Sequence, residues 1–274
     1  MHELMQNPAI QAGIIPFITA LFFGLVLNRL GWYWAGLALI AGFVATVDVV
    51  VGFQFQPWTS TRKIIALGLA AGGVGLLLDI YPWSRRWLPA VLFILAGAAA
   101  LWLSWPVLKR REGLELWSLG IGSVLFSGWC TATLESLRSK PAQASSAAVA
   151  LGFGSGGVVL LGASALLGEL GIALGAAAGA LWLLIAATRT TKLGSVAMLP
   201  AGLLCGLIGI GGHVYAKVPW YSLALLALVP VCVRVPPPSQ WSRWIQMFTP
   251  LVLAGAPAAI AVWLVWRVAG GVPL

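Results

Sequence analysis

The chain has 274 residues, of which 60% are hydrophobic and only 8% are charged, with a mean hydropathy of +0.96. Soluble domains carry about 25% charged residues because water must solvate their surface, so this composition excludes an ordinary soluble domain. The excess of basic residues gives a net charge of +9, which in so apolar a chain we expect to face anionic lipid headgroups and not nucleic acid.

Long apolar runs follow one another along the whole chain. Because a bilayer core about 30 Å thick requires roughly 20 apolar residues per helix, the sequence predicts an all-α, polytopic integral membrane bundle of about ten transmembrane segments. In chain order these are Pro8–Leu27, Trp32–Phe53, Ile64–Ile80, Trp87–Leu108, Leu116–Leu137, Ser145–Leu167, Leu170–Ala187, Leu193–Gly212, Pro219–Val235 and Trp244–Val268. The first is expected to be a retained helix and not a signal peptide, because it lacks a basic n-region and a nearby small-residue cleavage site.

The fifth segment, Leu116–Leu137, is the least lipophilic, because it carries several Ser and Thr residues and Glu135. It either spans the membrane or forms a broken or re-entrant element lined by protein or water, and then the number of spans is nine. If it spans, the loops on the two sides carry nine and seven basic residues. If it does not, the counts become eleven and five, a stronger positive-inside pattern that favours inverted repeats.

The cluster from Gly152 to Gly157 looks out of context like a phosphate-binding loop. It lies inside an unbroken apolar run without a basic partner, and its glycines recur at helical four-residue spacing. Small residues at that spacing let two helices approach closely in lipid, so we predict helix packing. The predicted packing glycines are Gly152, Gly156, Gly171, Gly175, Gly179, Gly202 and Gly206.

Local matches recur in the same order about 161 positions apart. Pro57–Ser60 (PWTS) corresponds to Pro219–Ser222 (PWYS), and residues 89–105 share eight of seventeen identities with residues 250–266. This predicts an internal duplication of a four-helix unit. The expected organisation is a first four-helix repeat over residues 1–110, a polar connecting segment plus one membrane helix over 111–167, and a second four-helix repeat over 168–274.

Ionisable residues within membrane segments are costly and are therefore candidates for function. Asp48 lies roughly 9 Å from the centre of its segment, so it is either a proton or cation site or an acidic residue near the headgroups. Glu135 precedes Arg138 by three residues, which predicts an ordinary helical ion pair, although nearby hydroxyls also allow a polar pathway. Asp79 is expected to meet water and pair with Arg85 or Arg86, and Glu169 to lie in a tight turn from Gly168 to Gly171.

Other features add weaker candidates. Segments three and nine are short and interrupted at corresponding positions, by Gly72, Gly73 and Gly75 and by Pro230, a pattern that marks substrate sites in some repeat transporters. His213 follows a glycine-rich segment end and is either structural or part of the same pathway. The three dispersed cysteines predict no disulfide framework, and we expect no metal site, no cofactor and no catalytic set.

Together these patterns predict a multi-pass protein of a bacterial inner membrane. The favoured hypothesis is a small-solute secondary transporter that works by alternating access between two related helical repeats, with Asp48 as its proton or cation site. The alternative is a non-catalytic membrane-anchoring or structural subunit of a larger complex, and a membrane enzyme ranks third. Expected partners are membrane lipids and either other membrane subunits or further copies of the chain, but no nucleic acid.

Overall fold

A computed structural model describes residues 7–30, 32–53, 56–81, 86–162, 164–188, 193–238 and 240–269, and these residues form an all-helical bundle. A short π-helical turn, Ile10–Ile14, leads into the first α-helix. The ten α-helices of the described part of the chain are α1 (Ile15–Leu27), α2 (Trp32–Val50), α3 (Ser60–Ile80), α4 (Leu88–Leu108), α5 (Gly113–Ser136), α6 (Pro141–Leu161), α7 (Ala165–Thr188), α8 (Ser195–Ala216), α9 (Trp220–Cys232) and α10 (Arg243–Val268).

Seven of these elements are long and apolar enough to cross a membrane: the π-helical turn with α1, and α3, α4, α6, α7, α8 and α10. Helix α9 and the apolar stretch Trp34–Val50 of α2 are shorter, and α5 is not among the seven. Basic side chains lie over Trp rings near helix ends, with Lys63 Nζ 4.8 Å from the ring centre of Trp102 and Arg267 equally close to Trp263. This combination is typical of a multi-pass helical membrane protein with an interfacial aromatic belt.

The turn between α6 and α7 lies elsewhere than predicted. Helix α6 ends at Leu161 and α7 begins at Ala165, so Glu169 lies in the second turn of a helix and not in a tight loop. The glycines beside Glu169 serve close packing, since a methyl group at Gly168 would lie 2.7 Å from Cβ of Leu160. The small residues at the true turn carry no charge to mark it, whereas Glu169 suggested a boundary that does not exist.

Helix α5 is a continuous helix of 24 residues, so this segment is not broken, while its crossing of the membrane stays a prediction. At 1.5 Å per residue it is about 36 Å long, enough to cross a bilayer core. It runs antiparallel to α8, because Ser127 lies against Gly206 while Thr131 lies against Gly202, nearer the start of α8. Most of its hydroxyl groups donate hydrogen bonds to backbone carbonyl oxygens one turn earlier in the same helix. The polar side chains are thereby satisfied within α5, and the segment remains helical.

Helix α8 is the centre of the bundle, and every residue from Ser195 to Gly212 is buried. It packs against α3, α5 and α6 and also contacts α2, α4 and α7. Consecutive helices form the pairs α1–α2, α4–α5, α6–α7 and α9–α10, while α3 packs mainly on α8. The same order therefore occurs twice along the chain. The helix pair α1–α2, the single helix α3 and the pair α4–α5 are followed by the pair α6–α7, the single helix α8 and the pair α9–α10. The predicted duplication of a four-helix unit stays a prediction, as do its domain boundaries.

Glycines bring α6 and α7 into close contact. A methyl group at Gly152 would lie 2.5 Å from Cα of Gly175, and one at Gly156 would lie 2.8 Å from the carbonyl carbon of Gly171. Gly202 and Gly206 likewise admit the backbone of α5. Gly179 is different, because a methyl group there would meet only Phe17, at 4.0 Å.

Candidate functional site

A group of buried and partly buried polar side chains lies where α3 and α5 end and α8 begins. It consists of Asp79, Glu135, Arg138 and Ser195, which we call the α8 cluster. The two carboxylate oxygens of Asp79 accept hydrogen bonds from the backbone N–H groups of Ser195 and Val196, both at 2.9 Å. Asp79 therefore caps the start of α8 from another helix, and its negative charge lies at the positive end of the α8 dipole.

The local sequence explains why this cap comes from a distance. The N-cap residue of α8 is Gly194, whose φ of 74° favours glycine and which has no side chain to cap the helix. Gly75, one turn before Asp79, allows α3 to reach this point, because a methyl group there would lie 2.5 Å from the carbonyl oxygen of Ser195. On the opposite flank, a methyl group at Gly36 would lie 2.4 Å from the carbonyl oxygen of Leu193. Two glycines thus position the start of α8 between α2 and α3.

Glu135, Arg138 and the Ser195 hydroxyl form a closed triangle. Arg138 Nη1 donates to Glu135 Oε1 at 2.6 Å and to Ser195 Oγ at 2.8 Å, and Ser195 Oγ donates to the same Oε1 at 2.5 Å. The Glu135 side chain is only 2% exposed, and its second oxygen, Oε2, has no hydrogen-bond partner among the described residues. A buried carboxylate oxygen without a partner is costly when the group is ionised, so this position favours the binding of a proton.

A row of hydroxyls continues from Glu135 along the buried face of α5. Ser123, Ser127 and Thr131 follow one another at four-residue spacing, and each is at most 1% exposed. Ser127 Oγ has no hydrogen-bond partner among the described residues, and it faces Gly206 of α8. The α5–α8 interface therefore carries polar groups from the middle of the bundle to the α8 cluster, although the two helices are in direct contact there.

The charges of the α8 cluster suggest what it can do chemically. Two carboxylates and one guanidinium leave one negative charge, which the dipole of α8 compensates only in part. Among the described residues, no group of three or more His, Cys, Asp and Glu side chains is placed to hold a metal ion. The arrangement suits a proton, which would bind at Glu135, weaken the pair with Arg138 and convert a carboxylate into a hydrogen-bond donor.

Asp48 and His213 do not join this cluster. Asp48 lies on the exposed side of α2, two residues before that helix ends, and so faces the outside of the bundle. His213 lies near the other end of α8, 18 residues from Ser195. Its Nδ1 contacts the carbonyl oxygen of Val218, and its ring packs on Trp220 with ring centres 4.0 Å apart. These contacts hold the turn from α8 to α9.

The remaining predicted pathway residues lie apart from one another. Gly72 is buried, and a methyl group there would meet the side chain of Ile40 at 2.2 Å, whereas Gly73 faces open space. Only Gly75 borders the α8 cluster. Pro230 is buried inside α9, on a helix that packs on α10, α6 and α5.

Asp79 and Ser195 were not among the predicted site residues. Asp79 was expected to pair with Arg85, which lies outside the described residues, or with Arg86, whereas it binds backbone 116 residues further along the chain. The start of α8 at Gly194-Ser195 lacks a capping side chain, and this sequence feature could have indicated a cap from elsewhere in the chain. Nothing in the neighbouring sequence identifies Asp79 as that cap. Comparison with known proteins adds no identity, since no protein-family model and no curated protein matches the chain.

Proposed function

We propose that the protein is a secondary transporter that moves a small solute by alternating access across a bacterial inner membrane, with Glu135 as its proton-binding group. The observation that supports this proposal is the buried Glu135 carboxyl, whose Oε2 is unpartnered and which links α5 to the start of α8. Intramembrane carboxyls of this kind are typical of proton-coupled transport. The proposal assigns the chain no enzymatic activity, and Asp48 is its second candidate for the coupling site.

The α8 cluster would act as a closure at one end of the bundle. With Glu135 ionised, Arg138 and Ser195 tie α5 to α8, while Asp79 ties α3 to α8. A proton on Glu135 would remove the ionic part of the first tie and leave Arg138 to find water at the surface. Asp79 and Arg138 are the charged side chains of the cluster that face Glu135, one from α3 and one from the loop after α5. The start of α8 would then separate more easily from α5.

The use of glycines favours a self-contained bundle over a docking subunit. A subunit that packs on other membrane proteins should present its glycine faces outwards, because these faces allow partner helices to approach closely. In this chain Gly36, Gly75, Gly152, Gly202 and Gly206 all lie against other helices of the same bundle. The glycine faces therefore support a protein that works by moving its own helices against one another.

The alternative, a non-catalytic membrane-anchoring or structural subunit, has one observation in its favour. A largely apolar groove of about 540 Å³ lies between α4 and α5, and Trp105, Trp117 and Ile121 are exposed along it. An apolar groove of this kind suits either an acyl chain or a helix from another protein. Native mass spectrometry of the protein from its own membrane separates the two proposals. A stoichiometric set of other subunits would contradict the autonomous transporter.

Proton coupling is tested in proteoliposomes that contain the pH-sensitive dye pyranine. A panel of small organic anions, amines and neutral solutes is added outside, and the dye reports proton movement that depends on the solute. We expect Glu135→Gln to abolish this movement and Asp48→Asn to retain it, because Asp48 faces the outside of the bundle. If Asp48→Asn abolishes coupling and Glu135→Gln does not, the roles are reversed. Unchanged coupling in both variants would remove both carboxyls from the mechanism.

His213 provides a control for these measurements, because a histidine can also make activity depend on pH. His213→Phe keeps an aromatic ring against Trp220 and removes the titratable nitrogens. We expect this variant to retain coupling at a rate close to that of the unmodified protein. Loss of coupling would show that the turn between α8 and α9 carries the proton and would contradict the assignment to Glu135.

A further inference from the structure

An open cavity lies at the same end of the bundle as the α8 cluster but is lined by different residues. Its walls come from the start of α6, the end of α7, the start of α10 and the loop that precedes α10. It has a volume of about 570 Å³, large enough for a phosphate group and part of an alkyl chain. We call it the loop cavity and consider six of its lining residues: Lys140, Gln143, Ile185, Arg243, Met247 and Pro250.

The polar groups of the loop cavity are suited to an anion. Lys140 and Arg243 both line it, and none of the described side chains along its wall is acidic. Arg243 Nη2 donates to the carbonyl oxygen of Ile185 at 2.8 Å, which uses one of the five guanidinium N–H groups and fixes the others near the cavity. The cavity therefore combines one anchored and one exposed positive charge.

Two helices also begin at this cavity. Lys140 and Ser242 are the N-cap residues of α6 and α10, and neither helix start is capped by a side-chain hydrogen bond. Each uncapped start adds a partial positive charge and backbone N–H groups, the usual elements of a phosphate site. The two dipoles thus reinforce the positive potential of the two side chains.

Gln143 supplies an independent indication of a ligand. This residue lines the loop cavity and is only 6% exposed, and its Oε1 is buried without a hydrogen-bond partner among the described residues. A buried amide oxygen needs a donor, which a hydroxyl on the bound molecule would provide. The apolar wall formed by Ile185, Met247 and Pro250 suits an alkyl chain next to that polar group.

We propose that the loop cavity binds the phosphate group of an anionic phosphate ester, with the phosphate between Lys140 and Arg243 and a hydroxyl donated to Gln143. Both an anionic phospholipid headgroup and a soluble phosphate ester have this chemistry. Basic pockets between membrane helices commonly hold anionic headgroups. The proposal does not depend on transport, because a structural subunit could carry the same site.

The test uses the full chain in neutral detergent, with native mass spectrometry to measure binding and tryptophan fluorescence to follow thermal unfolding. The probes are phosphatidylglycerol, phosphatidylcholine, glycerol 3-phosphate and inorganic phosphate. We expect phosphatidylglycerol to bind and to raise the unfolding temperature more than phosphatidylcholine. Binding of phosphatidylglycerol alone identifies a lipid site, and additional binding of glycerol 3-phosphate identifies a phosphate ester site open to soluble ligands. Equal effects of the two lipids, without binding of soluble phosphates, would overturn the proposal.

Matched variants locate the site. Lys140→Gln should weaken phosphatidylglycerol binding about fivefold, the effect of one basic residue at an anionic headgroup. Gln143→Leu should weaken binding without a change in charge. Arg110→Gln removes one exposed positive charge after α4, at the opposite end of the bundle, and should leave binding unchanged. If Arg110→Gln weakens binding as much as Lys140→Gln, the interaction is general surface attraction and the proposed site is wrong.

Discussion

Replacing Gly152 with alanine should push α6 and α7 apart. The new methyl carbon would lie 2.4 Å from the backbone nitrogen of Gly175, whereas ordinary contact begins at about 3.4 Å. The deficit is therefore about 1 Å. The opposing atoms belong to the backbone of α7 and cannot rotate away, so the helices themselves must move.

Two opposing effects set the magnitude. Alanine is a better helix former than glycine by about 1 kcal/mol, which stabilises any Gly→Ala variant in a helix. Overpacking against a fixed neighbour costs about 1–3 kcal/mol, and contact with backbone favours the upper part of that range. Gly179→Ala is the matched control, because it lies in α7 of the same helix pair and its methyl would meet only Phe17 at 4.0 Å. It keeps the gain in helix propensity without the clash.

The assay is thermal unfolding in detergent followed by tryptophan fluorescence. We expect Gly179→Ala to unfold at the same temperature as the unmodified protein or slightly higher. Gly152→Ala should be about 2–3 kcal/mol less stable than Gly179→Ala, which corresponds to a gap on the order of 5 °C for a chain of this size. Equal unfolding temperatures for the two variants would refute the inference that α6 and α7 are held at glycine-limited distance.

Three further predictions concern the same unfolding assay. Asp79→Ala should destabilise the protein by about 2 kcal/mol, because the start of α8 loses both hydrogen-bond acceptors. Asp79→Asn should destabilise it less, because one acceptor remains. An unchanged unfolding temperature would mean that water replaces the cap. Arg138→Gln should lower the free energy of unfolding by about 3 kcal/mol, because it leaves the Glu135 charge buried without its partner. The double variant with Glu135→Gln should recover much of that loss. If the effects of the two single variants simply add, the two residues are not coupled. Tyr215→Phe should cost about 1 kcal/mol, because the hydroxyl donates to the carbonyl oxygen of Leu103, and an unchanged stability would show that this hydrogen bond has no net value.

Most helix positions could be predicted because lipid imposes a simple rule on the sequence. Charged residues and Trp mark the ends of apolar runs, so the predicted Trp87–Leu108 and Trp244–Val268 each begin within one residue of the observed α4 and α10. The rule failed at the turn between α6 and α7, where Glu169 lies inside a helix. Glu169 is only partly buried in the second turn of α7, so a helix can carry it there and the charge did not mark a boundary.

The candidate site was predictable only in its local part. The pair of Glu135 and Arg138 follows from a spacing of three residues at the end of α5, and the structure shows it. The links from Asp79 and Glu135 to Ser195 span 116 and 60 residues, and no local pattern encodes such contacts. Asp48 looked more intramembrane than Glu135 because position within a segment can be counted, whereas the side of the helix that faces the protein depends on packing.

The position of Pro200 explains how a change at the α8 cluster could move part of a helix that is buried on all sides. Proline lacks an N–H group, so Pro200 cannot donate the helical hydrogen bond to the carbonyl oxygen of Val196. The first turn of α8, which Asp79 and Glu135 hold, is therefore joined to the rest of the helix by one hydrogen bond fewer than usual. Further along, Gly202 and Gly206 clamp α8 against α5 through contacts that do not depend on charge. Loss of the Glu135 charge would consequently weaken one of the two ties on the first turn of α8 and leave the centre of the helix in place, as the proposed alternating access requires.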